Sequence, residues 1–236
     1  MSQLKTIVLL LALVGVSAQA AEYNDPYEKF NRKVFAFNDT LDRFLLKPIA
    51  RGYKKITPKI VNRGVSNIFD NVGDVPGAIS ATLQGKGGAA VRDTSRVLIN
   101  TTVGIGGFFD VATKMGIESS DEDFGQTLAA WGVKQGPYVM LPFLGGRTLR
   151  ETASLGVDTY LNPVSYVDHV PTKNSVRGID IVDKRADLLD AESLLDGDRY
   201  SLYREAYFQR RELLLNDGAV DDTFGGSAFD DDIFDE

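Results

Sequence analysis

The chain has 236 residues, 43% of them hydrophobic, with 26 Lys and Arg against 33 Asp and Glu; this is enough apolar material for one large core and excludes a disordered chain. It holds no cysteine and a single histidine, which excludes thiol catalysis, disulfides, cysteine-type zinc sites, iron–sulfur clusters and any site built on two imidazoles. The acidic excess sits at one end: Asp217 to Glu236 carry seven Asp, one Glu and no basic residue, while 21–216 holds 25 residues of each sign, and a neutral body argues against nucleic acid as a partner.

Lys5 precedes an uninterrupted apolar run from Ile7 to Val16, and Ser17-Ala18-Gln19-Ala20 supplies the small residues of an Ala-x-Ala site. Residues 1–20 are therefore expected to be a secretory signal peptide cleaved after Ala20. The run is about half the roughly 20 apolar residues that span a bilayer.

Asp25-Pro26-Tyr27-Glu28 reads as a helix start, with Asp25 at the N-cap and Pro26 at the first helical position. Tyr27, Phe30, Val34, Phe37, Leu41 and Phe44 then recur on one face, with charged residues on the others. This helix, roughly 31 Å long at about 1.5 Å per residue, is too charged to span and suits the plane of a membrane interface. Pro48 is expected to end it and to open a second helix carrying Ile49, Tyr53 and Ile56. Thr57-Pro58 is expected to open a third, with Ile60, Val61, Val65, Ile68 and Phe69, and a short fourth to run from near Pro76 to Leu83.

From Gly85 to Gly146 the character changes, since this stretch holds 12 of the 23 glycines. Two uncharged segments lie in it, Val97–Phe109 and Gln135–Gly146. As helices they would reach about 20 Å, short of a hydrocarbon core of roughly 30 Å, so they suit buried helix pairs, re-entrant hairpins or the glycine-rich core of a soluble domain. Helical spacing resumes with Leu149, Thr152 and Leu155 up to Asn162-Pro163, again from Val176 through Ile179, Val182, Ala186 and Leu189, and last with Tyr200, Tyr203, Tyr207 and Leu214, ending at Asn216-Asp217-Gly218. The fold class is all-α, with a hairpin at 137–144 as the exception. One domain over 21–216 is followed by an acidic tail over 217–236, expected to be disordered.

Catalytic patterns fail on inspection. His169 has no nucleophile elbow to serve. Gly85-Lys86-Gly87-Gly88 lacks the spacing of a phosphate loop, Gly104-Ile105-Gly106-Gly107 lacks the third glycine of a dinucleotide fingerprint, and Asp123-Phe124-Gly125 has no His-Arg-Asp before it. Neither an enzyme nor a bound cofactor or metal is expected.

The segments Asn24-Asp25-Pro26-x-Glu28-x-Phe30-Asn31-Arg32-x-Val34-Phe35-x-Phe37-Asn38, Leu83-Gln84-Gly85, Asn100-Thr101-Thr102-Val103-Gly104-Ile105-Gly106-Gly107-Phe108-Phe109-Asp110, Phe124-Gly125-Gln126-Thr127-Leu128, Trp131-Gly132-Val133, Gly136-Pro137-Tyr138-Val139-Met140-Leu141-Pro142 and Arg204-Glu205-Ala206-Tyr207-Phe208-Gln209-Arg210 together resemble the MlaA (VacJ) family. The resemblance covers roughly Asn24 to Leu215. It implies a ring of amphipathic helices lying in the inner leaflet of the outer membrane around a polar channel. It also implies removal of mislocalised phospholipid from the outer leaflet, handover to a soluble MlaC-like periplasmic carrier, and association with trimeric porins. Many members are lipoproteins; without a cysteine, this chain is expected to be held at the periplasmic side of the outer membrane by its helices or a partner. The rim of the apolar hairpin, Asn100, Thr101 and Thr102, reads either as channel lining or as helix-end capping in a packed core. With it go Gly104, Gly106, Gly107, Phe108 and Phe109, and from the second segment Gly136, Pro137, Tyr138, Leu141 and Pro142, as candidate lipid-path or membrane-hairpin residues. The competing reading is a soluble periplasmic scaffold of the same fold, whose tail, with Phe224, Phe229 and Phe234, docks a partner.

Overall fold

A computed structural model of the chain describes residues 25–192 and 197–218. The signal segment 1–20 and the tail beyond Gly218 lie outside the described residues.

The chain is mostly helical. Helix α1 (Glu28–Leu41) runs through a π-helical stretch (Asp42–Leu46) directly into α2 (Lys47–Ile56). Pro48 therefore does not end the helix. The Lys47 N–H donates to the Asp42 carbonyl five residues back, and this wide turn lets the rod absorb a residue that has no N–H of its own. Asp25 does not cap α1 either: the N-cap is Tyr27, with no side-chain cap bond. The Asp25 carboxylate instead accepts from Asn31 Nδ2 at 2.7 Å and from the Tyr200 hydroxyl, and pairs with Arg204 at 3.3 Å.

Helix α3 (Lys59–Leu83) is one 25-residue element with Pro76 inside it, so the separate short helix expected from Pro76 does not exist. The hydrogen bond lost at Pro76 is offset by packing along the partner helix α4 (Gly87–Thr102), with Asn71, Asp74, Gly77, Ser80 and Ala81 buried on either side of the proline. A glycine turn leads from α4 to α5 (Val111–Lys114), and α6 (Phe124–Ala130) follows, capped by Asp123. Strands β1 (Tyr138–Leu141) and β2 (Gly145–Thr148) form an antiparallel hairpin with Tyr138 opposite Thr148 and Leu141 opposite Gly145. This is the expected exception to an all-α chain. Helix α7 (Leu149–Leu161) opens on a capping box of Thr148 and Glu151, a 3₁₀ turn (Pro163–Tyr166) follows, and α8 (Val170–Glu192) and α9 (Arg199–Leu215) complete the fold.

The packing closes a circuit. Helix α1 lies on β1, β2 on α7, α7 on α6, α6 on α3, α3 on α8, and α8 on α2, which continues back into α1. The seam between α1 and α9 is closed by the Asp25 cluster and by Arg32, which pairs with Asp198 at 2.8 Å and lies over the Tyr200 ring. The apolar core is small: Tyr138, Met140, Tyr200 and Phe208, with Val34, Phe35 and Tyr207 against them. No described helix is long and apolar enough to cross a membrane.

Candidate functional site

Burial in this molecule runs opposite to that of an ordinary soluble domain. Among the described residues, ten hydrophobic residues are buried, six of them alanines, against 16 polar or charged ones. The large apolar side chains face outward instead. Phe30 and Phe37 stand 56% and 45% exposed along α1 and Phe44 76% in the π-helical stretch, followed by Ile49 on α2 and by Ile56 and Ile60 at the turn into α3. The apolar face of α1 read from the sequence is thus real, and only Val34 and Leu41 along it are half-buried.

Two glycine-dependent turns extend this surface. In the first, α4 ends at Thr102 and the chain doubles back through 103–110, exposing Val103 (66%) and Ile105 (71%). Gly106 (φ +67°) and Gly107 (φ +88°) take the left-handed conformations the turn requires. Gly104 is buried; a Cβ there would fall 2.2 Å from the Phe109 carbonyl oxygen. Phe108 is half-buried and lies against Gly64 of α3, while Phe109 remains partly exposed and meets Phe108 edge to face at 5.0 Å. Asn100 is 1% exposed: its Oδ1 accepts from the N–H groups of Val111 and Ala112 at 2.8 and 2.9 Å, and its Nδ2 donates to Asp110. Asn100 thereby binds the first N–H groups of α5. Thr101 and Thr102 are exposed; Thr101 Oγ1 accepts from Asn71 Nδ2 at 3.0 Å, and Thr102 Oγ1 donates back to the Leu98 carbonyl.

The second turn is the hairpin tip, Pro142-Phe143-Leu144, with Phe143 at φ +65° and 78% exposed. Gly136 (φ +71°) and Pro137 lead into the strand, and the Pro137 carbonyl accepts from the Leu149 N–H. Tyr138 is fully buried, its hydroxyl without a hydrogen-bond partner and pressed against Gly146, where a Cβ would come within 1.7 Å. Burial pushes its ionisation far above that of a free tyrosine. Leu141 faces halfway out and Pro142 is exposed. The free edge of β1 is covered by two asparagines seven residues apart on α1: Asn31 accepts from the Met140 N–H and donates to the Tyr138 carbonyl, while Asn38 donates to the Leu141 carbonyl and accepts from the Phe143 N–H. The hairpin is thereby fixed to α1, and Phe143 meets Phe37 edge to face at 5.5 Å. Sequence reading missed this pair; its only signal was the seven-residue spacing beside the apolar stripe.

Beneath the first turn lies a polar interior that the sequence reading also missed. Arg96 of α4 is 4% exposed; it binds Asp74 of α3 at 2.8 Å and donates to the Thr113 hydroxyl and the Ile117 carbonyl. Burial raises the Asp74 ionisation despite that cation. Asp70, one helical turn earlier, has its tip open to water yet is hemmed in; burial, with the charges of Asp74 and Asp121, pushes its carboxyl up to about 6. Across from it, Asp183 of α8 accepts from Tyr53, Asn62 and Ser66. Buried positions are therefore mostly polar, in the seams between helices, while many large apolar side chains are exposed. His169 stands exposed at the start of α8, where its Nδ1 accepts from the Thr172 N–H and lies 2.8 Å from the Thr172 hydroxyl.

A family model described as MlaA lipoprotein matches residues 23–214. The "Intermembrane phospholipid transport system lipoprotein MlaA" of Escherichia coli K12 is 33% identical over 217 residues, 88% of this chain and 86% of that protein. The protein of the same name from Haemophilus influenzae is 32% identical over 235 residues, 92% and 94% of the two chains. An uncharacterized protein of Rickettsia typhi is 45% identical over 149 residues, 63% of this chain, and that match spans 59% of the relative's length. A solved chain from "Structural basis for maintenance of bacterial outer membrane lipid asymmetry" superposes with a TM-score of 0.72 at 34% identity, covering 81% of this chain and 99% of its own. With the family model running almost from end to end of the described residues, this chain belongs to the MlaA family.

Proposed function

We propose that this protein is the outer-membrane component of an intermembrane phospholipid transport system. It sits in the inner leaflet on the periplasmic side, takes mislocalised phospholipid from the outer leaflet, and passes it to a soluble MlaC-like carrier, beside a trimeric porin. The observation that carries this reading is the inverted burial, with polar side chains buried and large apolar ones exposed. A phospholipid needs that combination, a polar route for its headgroup and apolar contact for its tails. The exposed Thr101 and Thr102 and the turns at 103–109 and 136–144 are where lipid would pass. No bond is made or broken, and the role is transport.

The apolar surface also accounts for attachment. Phe44, Ile56, Ile60, Val91, Leu98, Val103, Ile105 and Phe143 are each more than 60% exposed. Burying eight such side chains in lipid contributes on the order of 10 kcal/mol at about 1 to 2 kcal/mol apiece, so the helices can do what an acyl chain does in lipoproteins.

The test is deletion of the gene, scored by outer-leaflet phospholipid and by sensitivity to detergent and chelator. Phospholipid should accumulate in the outer leaflet; unchanged leaflet composition in a strain with no second copy refutes the transport role. Fractionation separates the scaffold reading: a soluble periplasmic scaffold leaves the membrane in high salt, whereas a protein held by apolar faces stays.

A further inference from the structure

In a protein of net charge −7, the 27 residues from Arg43 to Phe69 hold seven Lys and Arg and no acidic residue. The stretch covers the last π-helical residues, α2 and the first half of α3, with an elbow at Thr57-Pro58. Two of its cations are engaged by α8, Lys47 with Glu192 and Lys54 with Asp190, each at 2.8 Å. Arg51, Lys55, Lys59 and Arg63 are exposed, and none forms an ion pair with a carboxylate among the described residues. Arg51 and Lys55 are one turn apart on α2, and Lys59 and Arg63 one turn apart on α3, so each pair shares a helix face. Between them the elbow exposes Ile56 (81%), Ile60 (63%) and Val61 (40%).

We propose that this elbow is a contact site for anionic phospholipid headgroups, the isoleucines entering the acyl region while the four cations bind phosphates at its edge. This rests on the membrane placement proposed above and names the lipid class met there. Three features favour lipid as the occupant. Ile56 continues the exposed series Phe37, Phe44, Leu45 and Ile49 along an unbroken helical rod, and Ile60 and Val61 take it up across the elbow. Lys and Arg stems bury along apolar surface while their heads stay at the headgroup level. An interface at once apolar and cationic is matched by a surface at once apolar and anionic.

The alternative occupant is the chain's own tail, which is acidic and carries Phe224, Phe229 and Phe234; the experiment separates the two. The purified full chain and its Lys55→Gln/Lys59→Gln variant are partitioned onto vesicles of phosphatidylethanolamine with and without phosphatidylglycerol. The variant should lose about 25-fold in partitioning onto the phosphatidylglycerol vesicles, about fivefold per charge removed, with no loss on the neutral ones. An equal loss on both, or none on either, overturns the proposal. So does a full chain that prefers phosphatidylglycerol only after residues 219–236 are removed, since the tail then holds the elbow. Retention on neutral vesicles reports on the membrane placement separately, so a failed headgroup preference is distinguishable from a failed placement.

Discussion

Asn100→Ala tests whether the first glycine turn is organised as described. The side chain is 1% exposed and makes three hydrogen bonds. Truncation affects them unequally. The Val111 N–H keeps a second acceptor, the Phe109 carbonyl at 3.0 Å, and Asp110 keeps the Thr113 N–H. The Ala112 N–H, in a residue with no exposed surface, is left with no other partner in the described structure. Orphaning one buried N–H costs about 1 to 3 kcal/mol, and the two lost bonds about 0.5 to 1.5 kcal/mol each, so about 3 kcal/mol is expected. For a chain of this size that lowers Tm by about 6 to 12 °C. Thermal unfolding in lipid nanodiscs, with hydrogen exchange of amides 104–112, reads both the total and its location. Thr102→Val is the control: its exposed hydroxyl bonds only back to the preceding turn, and the change should stay within about 0.5 kcal/mol. A loss below about 1 kcal/mol for Asn100→Ala, with unchanged exchange in the turn, would refute the idea that this side chain holds the turn together.

The glycines should separate in a complementation assay that also follows protein level. Gly104→Ala drives a Cβ into two carbonyl oxygens, at 2.2 and 2.5 Å, and should abolish accumulation, whereas Gly106→Ala meets open space and should cost only about 1 kcal/mol for its positive φ. Asp70→Asn should stabilise the protein above pH 6 and lose the advantage below about pH 4 in parallel melts. The folded carboxyl, pushed up to about 6 from 3.8, resists ionisation, so its contribution falls as pH rises through that window; water at the exposed tip discounts the gain to about 1 kcal/mol. Phe44→Ser with Phe143→Ser should weaken retention in salt-washed membranes while lowering the melting temperature of the detergent-solubilised protein by no more than about 4 °C, because both rings are more than three-quarters exposed and only the Phe37–Phe143 contact, about 1 kcal/mol, is lost. An unaltered membrane fraction would place the contact surface elsewhere.

Periodicity made α1, the first half of α3, α7, α8 and α9 legible, because each repeats apolar residues over several turns, whereas α4 lay unread in the glycine-rich stretch. The hairpin was legible from its glycines and prolines. What periodicity could not show was the direction of the apolar face, since a stripe facing lipid and a stripe facing a core have the same spacing. Pro48 and Pro76 misled for a definite reason: local propensity argues for a break, but a π-turn in one case and packing along α4 in the other outweigh it. At the candidate site, the glycines announced the turns. Asn31, Asn38, Asp74, Arg96 and Asp183 stayed hidden because their partners lie on other elements, and no local pattern encodes a bond such as that from Asn31 to Tyr138, 107 residues away. Asp25 was read as a cap because that is the commonest use of an Asp before a helix; its real partner is Tyr200.

That last bond has a consequence for the order in which the molecule can form. Tyr200 is 175 residues downstream of Asp25, and the seam between α1 and α9 shuts only when the two meet. Nearly the whole chain must be present before α1, the hairpin and α9 share their core, and long-range closure of this kind makes folding slow. For a chain carried across a membrane in extended form, slowness is useful. On the periplasmic placement proposed above, the N-terminal half would cross first, and the seam between α1 and α9 would shut only after the final helix had followed it.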